Sequence, residues 1–155
     1  MNARHRLPPG PVLLDASFVL ALLDGDQLAT RFADLLARSE ITAVNLGEVL
    51  HALDDLVGLA PDQVVQELAA TGLGVHPTDA ADARHFPALR RLDRATRRAA
   101  GPGGPGGLSL GDICCLARAW SARLPVLTGD RHWLALVRAG LPVPVYDFRD
   151  PALRA

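Results

Sequence analysis

Short apolar runs alternate along the chain with longer segments in which apolar residues recur every three to four positions. The short runs predict buried strands at 12–14, 41–43, 74–76, 126–128 and 143–146. The longer segments predict helices at 17–23, 29–36, 45–56, 61–70, 79–99 (interrupted near Pro87), 109–123 and 130–139. Regular alternation of strands and helices is typical of a mostly parallel sheet covered by helices on both faces, which predicts an α/β fold.

The length of 155 residues predicts a single domain, 1–155. Its first segment, 1–11, is polar and proline-rich, and we expect a flexible lead there. Residues 100–108 contain a run of five glycines and two prolines, and we interpret them as a flexible loop. This run contains a formal G-x-G-x-x-G string, but it follows a helix rather than a strand, and its prolines offer no N–H to a phosphate.

Composition narrows the possible chemistry. The net charge is −1, and all 16 basic residues are arginine, so lysine-based nucleophiles and general bases are excluded. The two cysteines, Cys114 and Cys115, are adjacent and form neither a disulfide framework nor a zinc motif, which suggests a reducing compartment. No segment resembles a secretory signal or a membrane span. We therefore expect a cytoplasmic protein with no membrane partner.

Four acidic residues occur where predicted strands meet predicted helices: Asp15, Glu48, Asp112 and Asp130. Ligands of open α/β sheets bind beyond the carboxyl ends of the strands, and four carboxylates gathered there would repel one another unless a cation held them. Each acid also has a structural explanation, as a helix cap for Asp15, Asp112 and Asp130 and as a solvated helical residue for Glu48. Their joint occurrence favours a metal site.

Three polar residues are placed to support such a site. Asn45 shares a helix face with Glu48, Ser17 follows Asp15 by two positions, and Thr128 precedes Asp130 by two. Local capping explains Ser17 and Thr128 equally well when each is taken alone. An all-oxygen ligand set favours Mg²⁺ or Mn²⁺ over zinc. This pattern predicts metal-assisted hydrolysis of a phosphodiester.

A basic stripe lies on the predicted helix that precedes the glycine-rich loop. Its members recur at helical spacing and are Arg90, Arg91, Arg94, Arg97 and Arg98. A solvated charged face is the usual explanation of such a run. Because the stripe has one sign in a nearly neutral protein, RNA phosphates are the alternative that we retain.

Four segments carry a resemblance to a known family. They are Val12-Leu-Leu-Asp-Ala-Ser-Phe18, Thr42-Ala-Val-Asn-Leu-Gly-Glu-Val49, Leu108-Ser-Leu-Gly-Asp-Ile-Cys-Cys-Leu116 and Pro125-Val-Leu-Thr-Gly-Asp-Arg131. In order and spacing, the chain resembles the PIN-domain ribonucleases, and among them the VapC toxins of bacterial toxin–antitoxin pairs.

The resemblance implies a three-layer α/β/α sandwich around a parallel sheet of about five strands. It also implies an acidic pocket of Asp15, Glu48, Asp112 and Asp130 that binds Mg²⁺ or Mn²⁺, and RNA cleavage that leaves a 5′-phosphate and a 3′-hydroxyl. The implied partners are an RNA substrate, a VapB-type antitoxin whose tail blocks the pocket, and a second copy of the chain in a homodimer.

Two other functions remain open. The first is a non-catalytic RNA- or protein-binding module on the same scaffold. The second is a haloacid-dehalogenase-type phosphatase, which also begins with an Asp after its first strand. That family needs a second Asp where this chain has Ser17, and a later lysine, which the chain lacks.

Overall fold

The computed structural model of the protein describes residues 5–155 and contains one five-stranded sheet. The strands are β1 (Val12–Leu14), β2 (Ser39–Thr42), β3 (Gly74–His76), β4 (Val126–Thr128) and β5 (Val145–Asp147). They lie in the order β3-β2-β1-β4-β5, and every neighbouring pair is parallel. The predicted parallel sheet is therefore confirmed. Because all five strands run the same way, their carboxyl ends meet at one edge.

Helices connect the strands and cover both faces of the sheet. They are α1 (Ala16–Leu23), α2 (Gln27–Thr30), a 3₁₀ helix (Ala33–Arg38), α3 (Ala43–Val57), α4 (Pro61–Ala70), α5 (Ala80–Ala83), α6 (Phe86–Ala100), α7 (Leu110–Ala122) and α8 (Arg131–Arg138). Within residues 5–155 we find no helix long and apolar enough to cross a membrane.

The central strand β1 divides the core into two parts. Val12 and Leu14 pack into a cluster with α1, α3 and α4, whereas Leu13 packs into a second cluster with α6, α7 and α8. Successive side chains of a strand point to opposite faces of the sheet, so this alternation places one helical layer on each side. The predicted α/β/α sandwich is thereby confirmed.

Three predicted helices differ from the observed ones at their ends. The helix predicted at 29–36 is wrong: Asp26 accepts hydrogen bonds from Leu28 N and Ala29 N and starts α2 earlier, and a separate 3₁₀ helix follows. The helix predicted at 79–99 is two helices separated at residues 84–85. Pro87 lies in the first turn of α6, where its missing N–H costs no hydrogen bond, rather than interrupting a longer helix.

The third difference moves a predicted site residue. Thr42 caps α3 by accepting a hydrogen bond from Asn45 N at 3.1 Å, so that helix begins at Ala43 instead of Asn45. A helix beginning at Asn45 would place Glu48 in its first turn, and this expectation is wrong because Glu48 lies in the second turn of α3.

The described part of the predicted lead pairs with the C-terminus. Leu7 N donates to Arg154 O at 2.9 Å, Arg154 N donates to His5 O at 2.8 Å, and the Leu7 side chain is buried. The first four residues of the lead lie outside the described residues. In the predicted loop, Gly101 and Gly103 adopt positive φ angles of 78° and 80°, a conformation that side chains with a Cβ rarely accept.

Candidate active site

Asp15 lies at the end of β1 and is buried. Its Oδ2 accepts hydrogen bonds from Ser17 Oγ at 2.6 Å and from Thr128 Oγ1 at 2.8 Å. Among the described residues, the Asp15 side chain accepts no capping hydrogen bond from α1, although it occupies the N-cap position. Both hydroxyls donate to the same oxygen, so neither competes for Oδ1. The structure therefore favours an oriented carboxylate over a simple helix cap.

The environment of Asp15 opposes its negative charge. Burial raises the pKa of Asp15 to about 6, although the hydrogen bonds from Ser17 and Thr128 lower it, and the charge of Asp112 raises the pKa further. Asp15 and Asp112 are 97 positions apart in sequence, but in the fold the charge of Asp112 acts on Asp15. A cation beside them would remove the repulsion and favour both ionised forms.

Glu48 is oriented by a short chain of hydrogen bonds along α3. Thr42 Oγ1 donates to Asn45 Oδ1 at 2.5 Å, and Asn45 Nδ2 donates to Glu48 Oε2 at 2.9 Å. The Glu48 carboxylate lies directly against the backbone of Gly111 in α7, because a Cβ added at Gly111 would overlap it. Asn45 thus supports Glu48 as its spacing predicted, and the absence of a side chain at Gly111 gives the carboxylate its space.

Asp112 forms a reciprocal capping box with Ser109 at the start of α7. Ser109 N donates to Asp112 Oδ2 at 2.7 Å, and Asp112 N donates to Ser109 Oγ at 3.1 Å. This box occupies Oδ2 and fixes the side chain against the first turn. The predicted capping interaction is therefore present, and it leaves the other carboxylate oxygen for a different partner.

Three of the four acids act electrostatically on the buried thiol of Cys115. Burial raises the pKa of Cys115 well above its usual range, and the charges of Asp15, Asp112 and Glu48 raise it further. The thiol in α7 is therefore buried and neutral within the electrostatic range of these carboxylates. The thiol itself is no nucleophile in this setting, because nucleophilic cysteines have lowered pKa values.

Asp130 joins the group through Thr128. Asp130 N donates to Thr128 Oγ1 at 3.0 Å, and the same hydroxyl group donates to Asp15. The side chain of Asp130 caps α8 by accepting a hydrogen bond from His132 N at 2.8 Å. Ser17 Oγ accepts a hydrogen bond from Gly129 N at 3.0 Å, which ties the start of α1 to the turn after β4.

The ligand oxygens of the four acids do not form a tight cage. Within residues 5–155, no three of them bring ligand oxygens within 4.8 Å of one another. The donors are nevertheless all oxygens, and a buried carboxylate with a raised pKa is among them. Mg²⁺ usually keeps several of its own waters and binds one or two protein carboxylates directly. The residues present therefore fit a hydrated Mg²⁺ or Mn²⁺ ion.

The predicted arginine stripe is divided by the structure into two groups. Arg90 Nη1 donates to Leu108 O at 2.6 Å, and Arg97 forms an ion pair with buried Asp93 at 3.3 Å. Arg94 and Arg98, together with Arg97, border a surface pocket of ≈ 390 Å³ against the glycine-rich loop. Arg91 is exposed on the same helix. The stripe is thus partly structural, since Arg90 and Arg97 bond within the protein.

Comparison with known proteins identifies the family. The PIN domain model matches residues 12–139, which is more than half of the chain and includes all four acids. The chain belongs to the PIN domain family. Comparison with curated protein sequences gives no match.

Solved structures show the same fold at low sequence identity. A toxin–antitoxin complex from Klebsiella pneumoniae is 18% identical, with 93% of this chain and 96% of that chain covered and a TM-score of 0.60. VapBC2 from Rickettsia felis, bound to a promoter DNA fragment, is 13% identical, with 88% and 98% covered and a TM-score of 0.63. Mycobacterium tuberculosis VapC20, described as a sarcin-ricin loop cleaving toxin, is 18% identical, with 83% and 95% covered and a TM-score of 0.53.

Several residues of this PIN domain that hold the acids in place were missed by the sequence interpretation. Gly111 and Thr42 position Glu48, and buried Asp93 accepts hydrogen bonds from Leu108 N at 3.4 Å and shares a 2.8 Å contact with His132 Nε2. A signal was present for Thr42, since threonine is a common N-cap. For Gly111 and Asp93 the reason lies in another helix, which periodicity along one segment does not reveal.

Proposed function

We propose that this PIN domain is a metal-dependent endoribonuclease and the toxin of a VapBC-type pair. The observation that carries the proposal is that Thr128 links Asp15 at the end of β1 to Asp130 after β4, while the Glu48 carboxylate lies against Gly111, the residue before Asp112. Membership in the PIN family supports nuclease activity in general. The toxin role rests on likeness of fold to toxin–antitoxin complexes.

In this proposal Asp15, Glu48, Asp112 and Asp130 hold Mg²⁺ or Mn²⁺. The ion, when bound, supplies an activated water and neutralises charge on the scissile phosphate. Ser17 and Thr128 keep the Asp15 carboxylate in one orientation, and Asn45 does the same for Glu48. Because these groups are already hydrogen-bonded before substrate arrives, little reorganisation is needed during the reaction.

In this proposal the arginines beside the glycine-rich loop bind the RNA substrate. Arg94 and Arg98 face the pocket that the glycine-rich loop borders, and α6 holds Leu108, which leads directly to Ser109 and Asp112. We assign the phosphate contacts to these two side chains in preference to Arg90 and Arg97, which bond within the protein. Arg91 is exposed and remains a third candidate.

The proposed partners follow from the same family of folds. The structural relatives include VapBC complexes, some bound to DNA, so we propose a VapB-type antitoxin that occupies the acidic pocket, and a homodimer of the toxin. We further propose that the protein acts as a single domain in the cytoplasm.

The test is cleavage of structured RNA by purified protein. We expect cutting with Mg²⁺ or Mn²⁺, none with EDTA, and products that carry 5′-phosphates when their ends are mapped. Asp112→Asn keeps a carboxamide oxygen for the Ser109 N–H but removes the charge, so we expect cleavage to fall at least ~100-fold. Asp24→Asn, at an exposed position at the end of α1, is the matched control and should cut like wild type.

Three results would contradict the proposal. If Asp112→Asn cuts as well as wild type, the carboxylates are wrongly assigned. If the protein binds RNA with or without metal and cuts none under any condition, it is the non-catalytic binding module. Hydrolysis of a generic phosphomonoester that is lost in Asp15→Asn would instead favour the phosphatase.

A further inference from the structure

A second group of metal-ligand side chains lies at the end of β3 and shares no residue with the candidate active site. It comprises His76, Asp79 and Asp82, whose ligand atoms all lie within 4.8 Å of one another. His76 ends the edge strand, Asp79 caps α5 by accepting a hydrogen bond from Asp82 N, and Asp82 lies in the first turn of that helix. Strand and helix therefore bring the three groups together within seven positions of the chain.

Hydrogen bonding does not explain the burial of the Asp82 carboxylate. It is 1% exposed, and neither of its carboxylate oxygens has a hydrogen-bond partner. The Nε2 atom of His76 is also buried without a hydrogen-bond partner and lies 3.3 Å from Asp82 Oδ2. Buried carboxylates are normally paired, hydrogen-bonded or bound to a metal, because an isolated buried charge is strongly disfavoured.

The distance between His76 Nε2 and Asp82 Oδ2 matches the distance between two ligand atoms of one metal ion. Two donors that each lie about 2.0–2.1 Å from zinc at a tetrahedral angle are about 3.3 Å apart. Asp79 is exposed, so a third ligand and solvent reach the same point from outside.

We propose that His76, Asp79 and Asp82 bind a divalent transition-metal ion, with Zn²⁺ as the best fit. One imidazole nitrogen and two carboxylates form a mixed N/O set that suits Zn²⁺ or Mn²⁺ better than Mg²⁺, and a fourth position remains for water. The nearby guanidinium of Arg118 is engaged by Glu40 at 3.0 Å and does not hydrogen-bond Asp82.

The ion would connect the edge of the sheet to the active-site helix. Thr42, which caps α3 and orients Asn45, pairs in register with His76, and α5 packs against α7, which carries Asp112. A metal between β3 and α5 would thus stabilise the arrangement of α5 and α7. Its role is structural, and the proposal does not depend on nuclease activity.

The experiment is zinc binding by the full chain, measured by equilibrium dialysis and metal analysis. The parent protein carries Asp15→Asn and Asp112→Asn, so that the candidate active site contributes little. We expect one zinc per chain, and at least a ~10-fold loss of affinity in His76→Gln and in Asp79→Asn. Asn retains the helix cap at position 79, which keeps that variant folded.

His51→Gln is the matched control, because His51 is 78% exposed at its side chain and lies 3.4 Å from Asp55, a histidine–aspartate pair on the surface. We expect its zinc binding to equal that of the parent, and Mg²⁺ to compete poorly. A parent that binds no zinc, or His76→Gln and Asp79→Asn variants that bind zinc as the parent does, would overturn the proposal. In that case the 3.3 Å contact of His76 with Asp82 is a direct histidine–aspartate pair.

Discussion

Individual carboxylates at the candidate active site combine a structural interaction with a free coordination position. Asp112 uses Oδ2 in its capping box, and Asp130 uses Oδ1 to cap α8. Each therefore retains a second oxygen that the helix does not need. The sequence leaves open whether these two residues are helix caps or metal ligands. The two roles are compatible, because one oxygen of the carboxylate caps the helix and the other remains available to a metal. Asp15 differs, since its side chain accepts no capping hydrogen bond from its helix and is held instead by Ser17 and Thr128.

Asp15→Asn should stabilise the metal-free protein while it abolishes cleavage. The pKa of Asp15 is about 6 in the folded protein and 3.8 when unperturbed, so its contribution to stability is fully present below the lower value and lost as pH rises through the higher one. At 1.36 kcal/mol per pKa unit, wild type should lose about 1–2 kcal/mol relative to Asp15→Asn between pH 5 and 7.5. Urea unfolding in EDTA at both pH values measures this.

With Mg²⁺ present, wild type should be more stable than Asp15→Asn. At pH 7.5 the ion binds ionised Asp15 in wild type and raises its melting temperature, whereas Asp15→Asn gains little. Asp24→Asn should follow wild type in every condition. If Asp15→Asn is less stable than wild type at pH 7.5 in EDTA and the gap does not change with pH, burial does not disfavour the Asp15 charge as we infer.

Gly111→Ala should impair metal binding through Glu48. The added Cβ would overlap the Glu48 carboxylate, so this side chain must leave its place beside α7. We expect a ~10-fold or greater loss of Mn²⁺ affinity, by the usual effect of displacing a metal-site residue, measured by calorimetry.

Gly47→Ala provides the comparison for that variant. Gly47 also lies inside a helix, but a Cβ there meets no atom within 4 Å. It should leave Mn²⁺ affinity unchanged and increase stability by about 0.5–1 kcal/mol, since alanine is the better helix former. Equal Mn²⁺ affinity in the two variants would show that Glu48 is not a ligand.

Among the helices and strands, the sequence predicts those whose position is set by residues within the same segment. The strand β1 and the cap of α7 follow from an apolar run and from Ser109 preceding Asp112 by three positions. The early start of α3 depends instead on a single cap, Thr42, that competes with periodicity. Contacts between helices, such as Glu48 against Gly111, have no signature within one segment and were not predicted.

Helix α6 holds the segment that leads into the active site. Arg90 binds the carbonyl of Leu108, and Asp93 binds its amide while contacting His132 in α8. The basic pattern of this helix therefore has a structural component that was predicted neither by the solvated-face interpretation nor by the RNA-binding one. One buried acid connects α6, α8 and the end of the glycine-rich loop.

Asp93→Asn should destabilise the fold substantially. Burial alone would raise the pKa of Asp93, but the hydrogen bonds from His132 and the Leu108 amide and the Arg97 charge hold it below its usual value. Its stabilisation is therefore present above the unperturbed pKa of 3.8 and lost as pH falls through the lower folded value. We expect a loss of roughly 2–4 kcal/mol at pH 7, because one partner of a buried pair loses its charge.

Urea unfolding measures that loss, with Asp55→Asn as its control. Asp55 pairs with His51 on the surface, and its replacement should change stability by less than about 0.5 kcal/mol. A loss no larger than that of the control would mean that α6 is held to the loop by packing alone.

The net charge of the whole molecule is nearly zero, but the charges are unevenly distributed over its surface. Seventeen acids face sixteen arginines, so no overall attraction draws RNA to the protein. The parallel sheet collects the carboxylates at one edge, where they would repel an RNA phosphate unless a metal neutralised them. Affinity must then come from local cations beside that edge, and Arg94 and Arg98 at the loop pocket are the cations we propose.

Arg94→Ala and Arg98→Ala should therefore weaken RNA binding with a reduced dependence on salt. Each phosphate contact to a single strand contributes about 0.7 to the slope of log affinity against log salt concentration, so the double variant should lose about 1.4. Arg138→Ala, an exposed arginine in the last turn of α8, removes the same charge elsewhere and tests for a general effect. Fluorescence anisotropy in Ca²⁺ buffer, across a salt series, separates binding from cleavage. An equal change of slope per arginine in Arg138→Ala would mean that RNA responds to total charge and that the pocket is not its binding site.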